Sequence, residues 1–417
     1  MVVKSHASRE PFHLSMLFND TRYRARTIQV LAFIILVVAA AWLVDNTIRN
    51  LAALGKDFSF GFLWSTAGYD ISPHAIEYSS TSTHARAAVV GLLNTLIVAA
   101  MACVTATVLG VLAGILRLSN NWIVARLMTV YVESFRNVPA LLWIIVVAAV
   151  MSEAMPAPGA FRGTNPTASM MLWESVAITN RGIYLPVPDF SHSLGQISSA
   201  FGTLDLNYAA VLGVLALSLL AHRGLVKHAQ RVQSASGQRP ATWWKSVCIF
   251  ALPMTALLYA LGFHFDYPAL KGFNFTGGLL LRNSFIALWI GLSVYSGAFI
   301  AENVRSGILA ITRGQTEAAH ALGLSPNRTM RLVILPQALR IITPPLISQY
   351  LDITKNTSLG LAVGYMDLRS TLGGITINQT GRELEAMLLM MLIYVSISLI
   401  ISGVMNIYNT RIRLQER

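Results

Sequence analysis

The chain has 417 residues, 54% of them hydrophobic and 12% charged, with a formal net charge of +12 and a mean hydropathy of +0.56. Soluble chains carry about 25% charged residues, so a soluble globular surface is excluded, and the hydrophobicity excludes disorder. What remains is an all-α polytopic membrane protein, whose apolar runs are long enough to cross a bilayer.

The first run is Ile28 to Val44. A tail of residues 1–27 carrying Lys4, Arg9, Arg22, Arg24 and Arg26 precedes it. The run starts too late for a signal peptide, so it reads as an uncleaved first span, residues 28–45. Residues 46–86 are mixed and polar and read as an extramembrane loop. Ala87 to Leu116 is a second span, and a short basic turn, Arg117 to Arg126, follows. The third span is centred on Val138 to Val150. Ser152 to Asp205 is a second long loop, rich in Pro, Gly and Ser. Leu206 to Ala221 and Ser246 to Phe265 are the fourth and fifth spans, joined by a connection with Arg223, Lys227, Arg231, Arg239 and Lys245. Asn283 to Ala301 is the sixth, Ile341 to Met366 the seventh and Ala386 to Tyr408 the eighth.

Eight spans place both termini on one side. About 21 Lys and Arg fall at the termini and in the even-numbered connections, about 9 fall on the other side, and Lys355 lies within a span. Acidic residues lean the opposite way, about 6 against 12. The positive-inside rule then assigns both termini to the cytoplasm. The basic residues are not interleaved with aromatics, so nucleic acid is not an expected partner; membrane lipid is. Cys103 and Cys248 both lie in apolar runs and read as buried small hydrophobes. Neither has a spacing that suggests a disulfide or a metal site.

Between spans six and seven the sequence reads GQTEAAHALGLSPNRTMRLVILPQALRIITPP. Thr316 to Leu322 is a good helix former, and Glu317 near its start suits the helix dipole. Gly323 is a plausible C-cap. Ser325 and Pro326 give a second start signal, an N-cap followed by Pro at the first helical position. The expectation is helix, Gly turn, helix on the cytoplasmic face, with Ala318, Ala319 and Gly323 forming a small face that a partner's backbone can approach. The alternative is an interfacial helix packed on the protein's own spans. Pro336, Pro344 and Pro345 mark re-entry into the membrane and are expected to bend or break the span.

Glu317-Ala318-Ala319, then Gly323, then Val333 and Leu335-Pro336, resembles the EAA loop of ABC importer permeases. VILPQALR and the KNTSL of Lys355 to Leu359 resemble the polar amino-acid permeases of the histidine/glutamine/arginine class. So do GLLNTLIVAAMACVTATVLGVLAGILRLS and YVESFRNVPALL, although Asn137, Val138 and Ala140 depart from the usual phrase. The extra first span and the inserted spans four and five look like the larger general L-amino-acid permease subfamily of Gram-negative bacteria.

The resemblance implies a type I ABC importer transmembrane core over residues 87–410, with an insertion at about 152–277. It implies a coupling loop at 314–336 in which Glu317, Ala318, Ala319, Gly323, Leu324 and Pro336 meet a cytoplasmic ATPase dimer. Glu317 is expected to anchor the loop electrostatically. Other implied partners are a second homologous permease, giving a heterodimer, a periplasmic amino-acid-binding protein and an L-amino-acid substrate. The implied location is the bacterial inner membrane. The chain has no P-loop, HExxH, GxSxG or CxxC motif. It is therefore expected to bind no cofactor and to be no enzyme, with ATP and Mg on the partner ATPase.

Charged residues at membrane depth are costly and point to function. Gln349, Asp352, Lys355 and Asn356 are spaced by three or four along one helix face. Asp352 would take a substrate ammonium and Lys355 its carboxylate; the alternative is an Asp352–Lys355 pair that satisfies itself. Glu133 and Arg136, at the start of span three, read as an ion pair or a gate, and Glu302 with Arg305 as a structural pair. Trp64, Tyr69, Trp173 and Tyr184, in the outer loops, read as interfacial aromatic anchors. Two other classes stay open. An ion-coupled secondary amino-acid transporter would use Asp352 and Lys355 as coupling groups, but has no reason to carry the 315–336 loop. A receptor or scaffold would dock a partner on that loop without transport.

Overall fold

A computed structural model describes residues 21–412 apart from 54, 56, 164, 200, 201 and 239. Most of the N-terminal tail, with Lys4 and Arg9, and the last residues, with Arg413 and Arg417, lie outside the described residues. The chain divides into two compact units, Met1–Gly61 and Phe62–Arg417.

The first unit contains helix α1, Thr21–Ala53. It is apolar on every face, and its apolar side chains from Ile28 to Val44 are exposed. A helix that is hydrophobic all round belongs in lipid or a large core. It runs on to Ala53, past the end of the apolar run. Arg49 Nε lies 2.8 Å from Asp45 Oδ2, an i,i+4 pair that supports the extra turns.

The second unit is a helical bundle with a small β region. Its helices are α2 (His84–Leu116), α3 (Trp122–Asn137), α4 (Ala140–Ala149), α5 (Leu206–Ser236), α6 (Trp243–Ala260), α7 (Asn283–Leu309), α8 (Arg313–Ala321), α9 (Leu335–Asn356) and α10 (Glu383–Ile412). Among the described residues seven helices are long and apolar enough to cross a membrane, and the bent pair formed by α3 and the α4 segment makes eight.

The core is the parallel pair α2–α7. A Cβ added at Gly110 of α2 would lie 2.5 Å from Ile300 Cβ and 2.8 Å from the Gly297 carbonyl oxygen, so only hydrogen fits. Ala106 and Ala102, one and two turns earlier, are also fully buried. Small residues at four-residue spacing bring helix backbones together where lipid offers no hydrophobic drive. Polar bonds cross the same seam. Thr105 Oγ1 and Ser293 Oγ are 2.5 Å apart, and Trp289 Nε1 donates to Thr105 Oγ1 at 3.2 Å; a separate bond, Thr107 Oγ1 at 2.8 Å from the Tyr350 hydroxyl, joins α2 to α9.

Two spans differ from their sequence-based outline. The third is broken: α3 and the α4 segment meet at 106°. Val138 is extended, φ −114° and ψ 136°, and Pro139 caps α4. A residue before proline is driven out of the helical region, so the bend falls where the sequence places the proline. The seventh span does not break at Pro344 and Pro345. Both lie inside α9, which stays helical from Leu335 to Asn356. Each proline removes one backbone donor; near them Thr343 Oγ1 donates to the Leu339 carbonyl at 2.6 Å. The helix then tightens into a 3-10 segment, Thr357–Val363, ended by Gly364.

The loops of the insertion form antiparallel strands. These are β1 (Ala177–Thr179), β2 (Gly182–Leu185), β3 (Val187–Phe190), β4 (Gln196–Ser199), β5 (Gly202–Asp205), β6 (Phe263–Asp266), β7 (Ala269–Lys271), β8 (Asn274–Thr276) and β9 (Leu279–Arg282). β1, β2 and β9 make one sheet, while β3–β6, β4–β5 and β7–β8 are ribbons. The strands before α5 thus pair with those after α6, which ties both ends of the inserted hairpin together. The fifth span ends at Ala260, and Phe263–Phe265 is strand rather than helix.

Candidate functional site: a coupling turn and an exposed polar stripe

The segment after α7 folds as the capping residues dictate. Thr312 precedes α8 in extended conformation, φ −64° and ψ 143°. At its other end Gly323 adopts φ +75°. Gly323 N–H donates to the His320 carbonyl at 2.9 Å, and Leu324 N–H to the Ala319 carbonyl at 3.1 Å. This double bond pattern is a Schellman cap, which needs a left-handed residue at the Gly323 position. Ser325 and Pro326 then start a short helix, Pro326–Thr329. It passes through a wide turn, Met330–Ile334, directly into α9. The second helix expected on the cytoplasmic face is therefore the first part of span seven, one run from Pro326 to Val363.

The small face is divided. Ala319 is only 3% exposed, and α8 packs on the Pro326–Ile334 segment. That corrects the expectation that Ala319 is open to a partner. Glu317, Ala318 and Gly323 are exposed, Leu324 is half-buried and Pro336 is exposed. Leu322, next to the cap glycine, is 82% exposed. Glu317 has no salt-bridge partner among the described residues, so the chain itself does not supply its electrostatic anchor.

The α7 end that leads into α8 is tied to α2 and α3 by an ion network. Glu302 Oε2 accepts from Arg117 Nη1 at 2.5 Å, and Glu302 Oε1 from Arg305 Nη2 at 2.6 Å. Arg117 also reaches Glu133 Oε1 at 3.6 Å. Arg136 lies 3.9 Å from Glu302 Oε2 and 5.3 Å from the centre of the Phe299 ring. Glu302 and Arg305 pair as their spacing implies. Glu133 and Arg136 form no salt bridge with each other among the described residues; each lies within ion-pair distance of an opposite charge from another helix. The i,i+3 pattern marks a pair but not its tertiary partner, and Arg117, the most buried member, carried no such pattern.

The polar residues of span seven lie on one flank of α9. Its buried positions, Ala338, Ile342, Thr343, Ile353 and Thr354, face the bundle. Ile341, Pro344, Ser348, Asp352 and Lys355 are exposed, at successive steps of three or four. Gln349 and Asn356, beside them, are half-buried. Asp352 and Lys355 form no salt bridge, and among the described residues neither has any ion-pair partner, so the self-satisfied pair is not formed. This stripe leaves two charges within an apolar span without an ion-pair partner among the described residues.

The 3-10 segment and the residues after it, 364–371, are locked onto α2 by buried polar groups that carry no local signal in the sequence. The Tyr365 hydroxyl donates to the Asn94 carbonyl at 3.0 Å, and Leu368 N–H donates to Thr95 Oγ1 at 3.0 Å. Asp367, fully buried, accepts from Ser370 N–H at 2.8 Å. Two expected lipid anchors are corrected as well. Tyr184 is buried against Phe275, ring centres 5.1 Å apart. Tyr69 is half-buried, and its carbonyl accepts from the Tyr78 hydroxyl at 2.9 Å. Trp64 and Trp173 are exposed.

A bent third span, a Schellman-capped helix leading into span seven and charges along that span mark this bundle of membrane-length helices. The match to known families gives the class. Residues 241–414 match the model of the binding-protein-dependent transport system inner membrane component. The chain is 55% identical to the glutamate/glutamine/aspartate/asparagine transport system permease protein BztB of Rhodobacter capsulatus, over 100% of both chains. It is 41% identical to the general L-amino acid transport system permease protein AapQ of Rhizobium johnstonii, over 95% of this chain and 94% of that one. The chain belongs to the family of permease components of amino-acid ABC importers.

Proposed function

We propose that this chain is one of two permease subunits of an importer that carries L-amino acids into the cytoplasm across the inner membrane. Both termini and α8 face the cytoplasm in this reading. A separate ATPase dimer, holding ATP and Mg, docks on Glu317, Ala318, Leu322 and the Gly323 turn. A periplasmic binding protein delivers substrate to the opposite face. The amino acids in BztB's name, glutamate, glutamine, aspartate and asparagine, are the first to test.

The observation that carries the reading is the orientation of α8: it is ordered by its own chain through Ala319 and turns Glu317 and Leu322 outward. A helix held in this way is a lever. Because Pro326–Ile334 continues into α9 without a loop, displacement of α8 moves span seven, and the Glu302 network passes the load to α2 and α3. Rigid-body switching of this kind needs discrete, well-packed contacts at both ends. The stripe Ser348–Asp352–Lys355 then lines a path between two permeases. There Asp352 meets the substrate ammonium and Lys355 its carboxylate, which accounts for charges that would be costly against lipid. The secondary-transporter alternative finds no support in the family match, and no contact among the described residues favours it.

The test is Gly323→Asp. Co-purification of the ATPase subunit and ATP-driven uptake should both be lost while the chain still inserts and folds. Undiminished docking and ATPase stimulation by this variant would overturn the coupling role.

A further inference from the structure

The inserted hairpin α5–α6 carries a feature that amino-acid transport does not use. Two bonds fix its antiparallel register: Ser218 Oγ donates to the Ile249 carbonyl at 2.9 Å, and His222 Nδ1 lies 3.1 Å from Ser246 Oγ. That register sets Arg223 level with Lys245 and Leu225 level with Trp243. α6 has 18 residues, about 27 Å of helix, close to the roughly 30 Å of bilayer hydrocarbon. α5 has 31 residues, about 46 Å, so its last turns project beyond the hydrocarbon. Trp243 and Trp244 are exposed at that level, where indoles mark the bilayer interface.

Arg223, Lys227 and Arg231 follow one another at four-residue steps, so they share one flank of the projecting part of α5. All three are exposed, as is Lys245. Lys245 Nζ sits 5.4 Å from the Trp244 ring centre. None of the four makes a salt bridge among the described residues. The sequence offers no counter-charge nearby, since Leu206 to Phe265 contains no Asp or Glu. Immediately before the cations, α5 exposes Leu212, Leu215, Leu217, Leu219 and Leu220, so lipid reaches up to them.

We propose that Arg223, Lys227, Arg231 and Lys245 form a binding site for anionic phospholipid headgroups, with phosphate oxygens as the missing counter-charges. The site is independent of the transport reading; it requires only that the hairpin crosses the bilayer. Each cation close to an anionic surface is worth about fivefold in lipid affinity. The phosphate takes up the Arg and Lys donors while the two indoles pack at the glycerol level.

The experiment uses the full chain in phosphatidylcholine vesicles containing a phosphatidylglycerol with a photoactivatable headgroup, followed by mass spectrometry of labelled peptides. Label should appear on residues 222–245. Excess plain phosphatidylglycerol should remove it, and excess phosphatidylcholine should not. The R223Q/K227Q/R231Q variant should lose that label at least about tenfold, while R223K/R231K keeps it. Label on peptides elsewhere in the chain serves as the insertion control. Absence of label from 222–245, equal competition by both lipids, or undiminished label in the Gln variant each overturns the proposal. The competition arm decides the matter on the wild-type chain alone if the Gln variant does not insert.

Discussion

The α2–α7 core and the α5–α6 hairpin are both built from apolar helices, but they use that apolarity differently. In the core, small residues let backbones touch, and each span buries its polar groups against another span. Gly110 fits under Ile300, Thr105 reaches Ser293, and Glu302 gathers three arginines. In the hairpin, large leucines point outward, and helix pairing rests on the contact of α5 with α6, on the Ser218 hydroxyl bond to the Ile249 carbonyl and on the hydrogen bond between His222 and Ser246. The lesson is that membrane hydropathy marks both regions alike, and packing separates them. Small residues and interhelical polar bonds mark the closely packed part, which the proposed transport cycle would move as a body; exposed leucines mark the part left open at its surface.

Substitutions sharpen that contrast, and the largest effect belongs to the core seam. Gly110→Leu places a side chain where even a Cβ is too close. Overpacking of this order costs about 3 kcal/mol, and thermal melts in detergent should show a large loss of folded protein. Glu302→Gln keeps shape but removes the charge shared by Arg117 and Arg305. Charge-assisted bonds are worth about 2 kcal/mol, so melting should shift by less, with ATP-driven uptake falling further than stability does. Gly323→Ala forces a left-handed conformation on a residue with a Cβ, at about 1 to 2 kcal/mol. Because open space surrounds that Cβ, Gly323→Asn, which tolerates the conformation, should restore ATPase co-purification. The smallest effect is expected at Leu212→Ala on the hairpin, within about 0.5 kcal/mol. A melt shifted as far as that of Gly110→Leu would show that α5 is packed, not lipid-exposed.

Much of this arrangement was legible in the sequence. The spans came from run length, and the α8 cap was readable because Gly323 followed by Ser325-Pro326 has one local solution. The bend of the third span was written in Val138-Pro139 but was masked by the continuous apolarity around it. The strands of the insertion were missed because each is only three or four residues long, and because β2 and β3 pair with β9 and β6 on the far side of the hairpin. Local periodicity carries no information about such pairings. For the same reason Glu133 and Arg136 were seen as a pair, while Arg117, which joins Glu133 to Glu302, was not. Pro344 and Pro345 suggested a break, yet the packed face of Ile342, Thr343 and Ile353 holds α9 together.

In the proposed transport cycle the exposed stripe of α9 meets substrate in a path driven through α8. The most direct measurement is ATP-dependent uptake by the complete importer in proteoliposomes with Lys355→Met, alongside retention of the ATPase subunit. Lys355 is exposed and outside the α8 contact surface, so the ATPase should stay bound while uptake falls to about a hundredth or less, the loss of roughly 3 kcal/mol of charge-assisted bonding. Uptake at the wild-type rate would contradict the account.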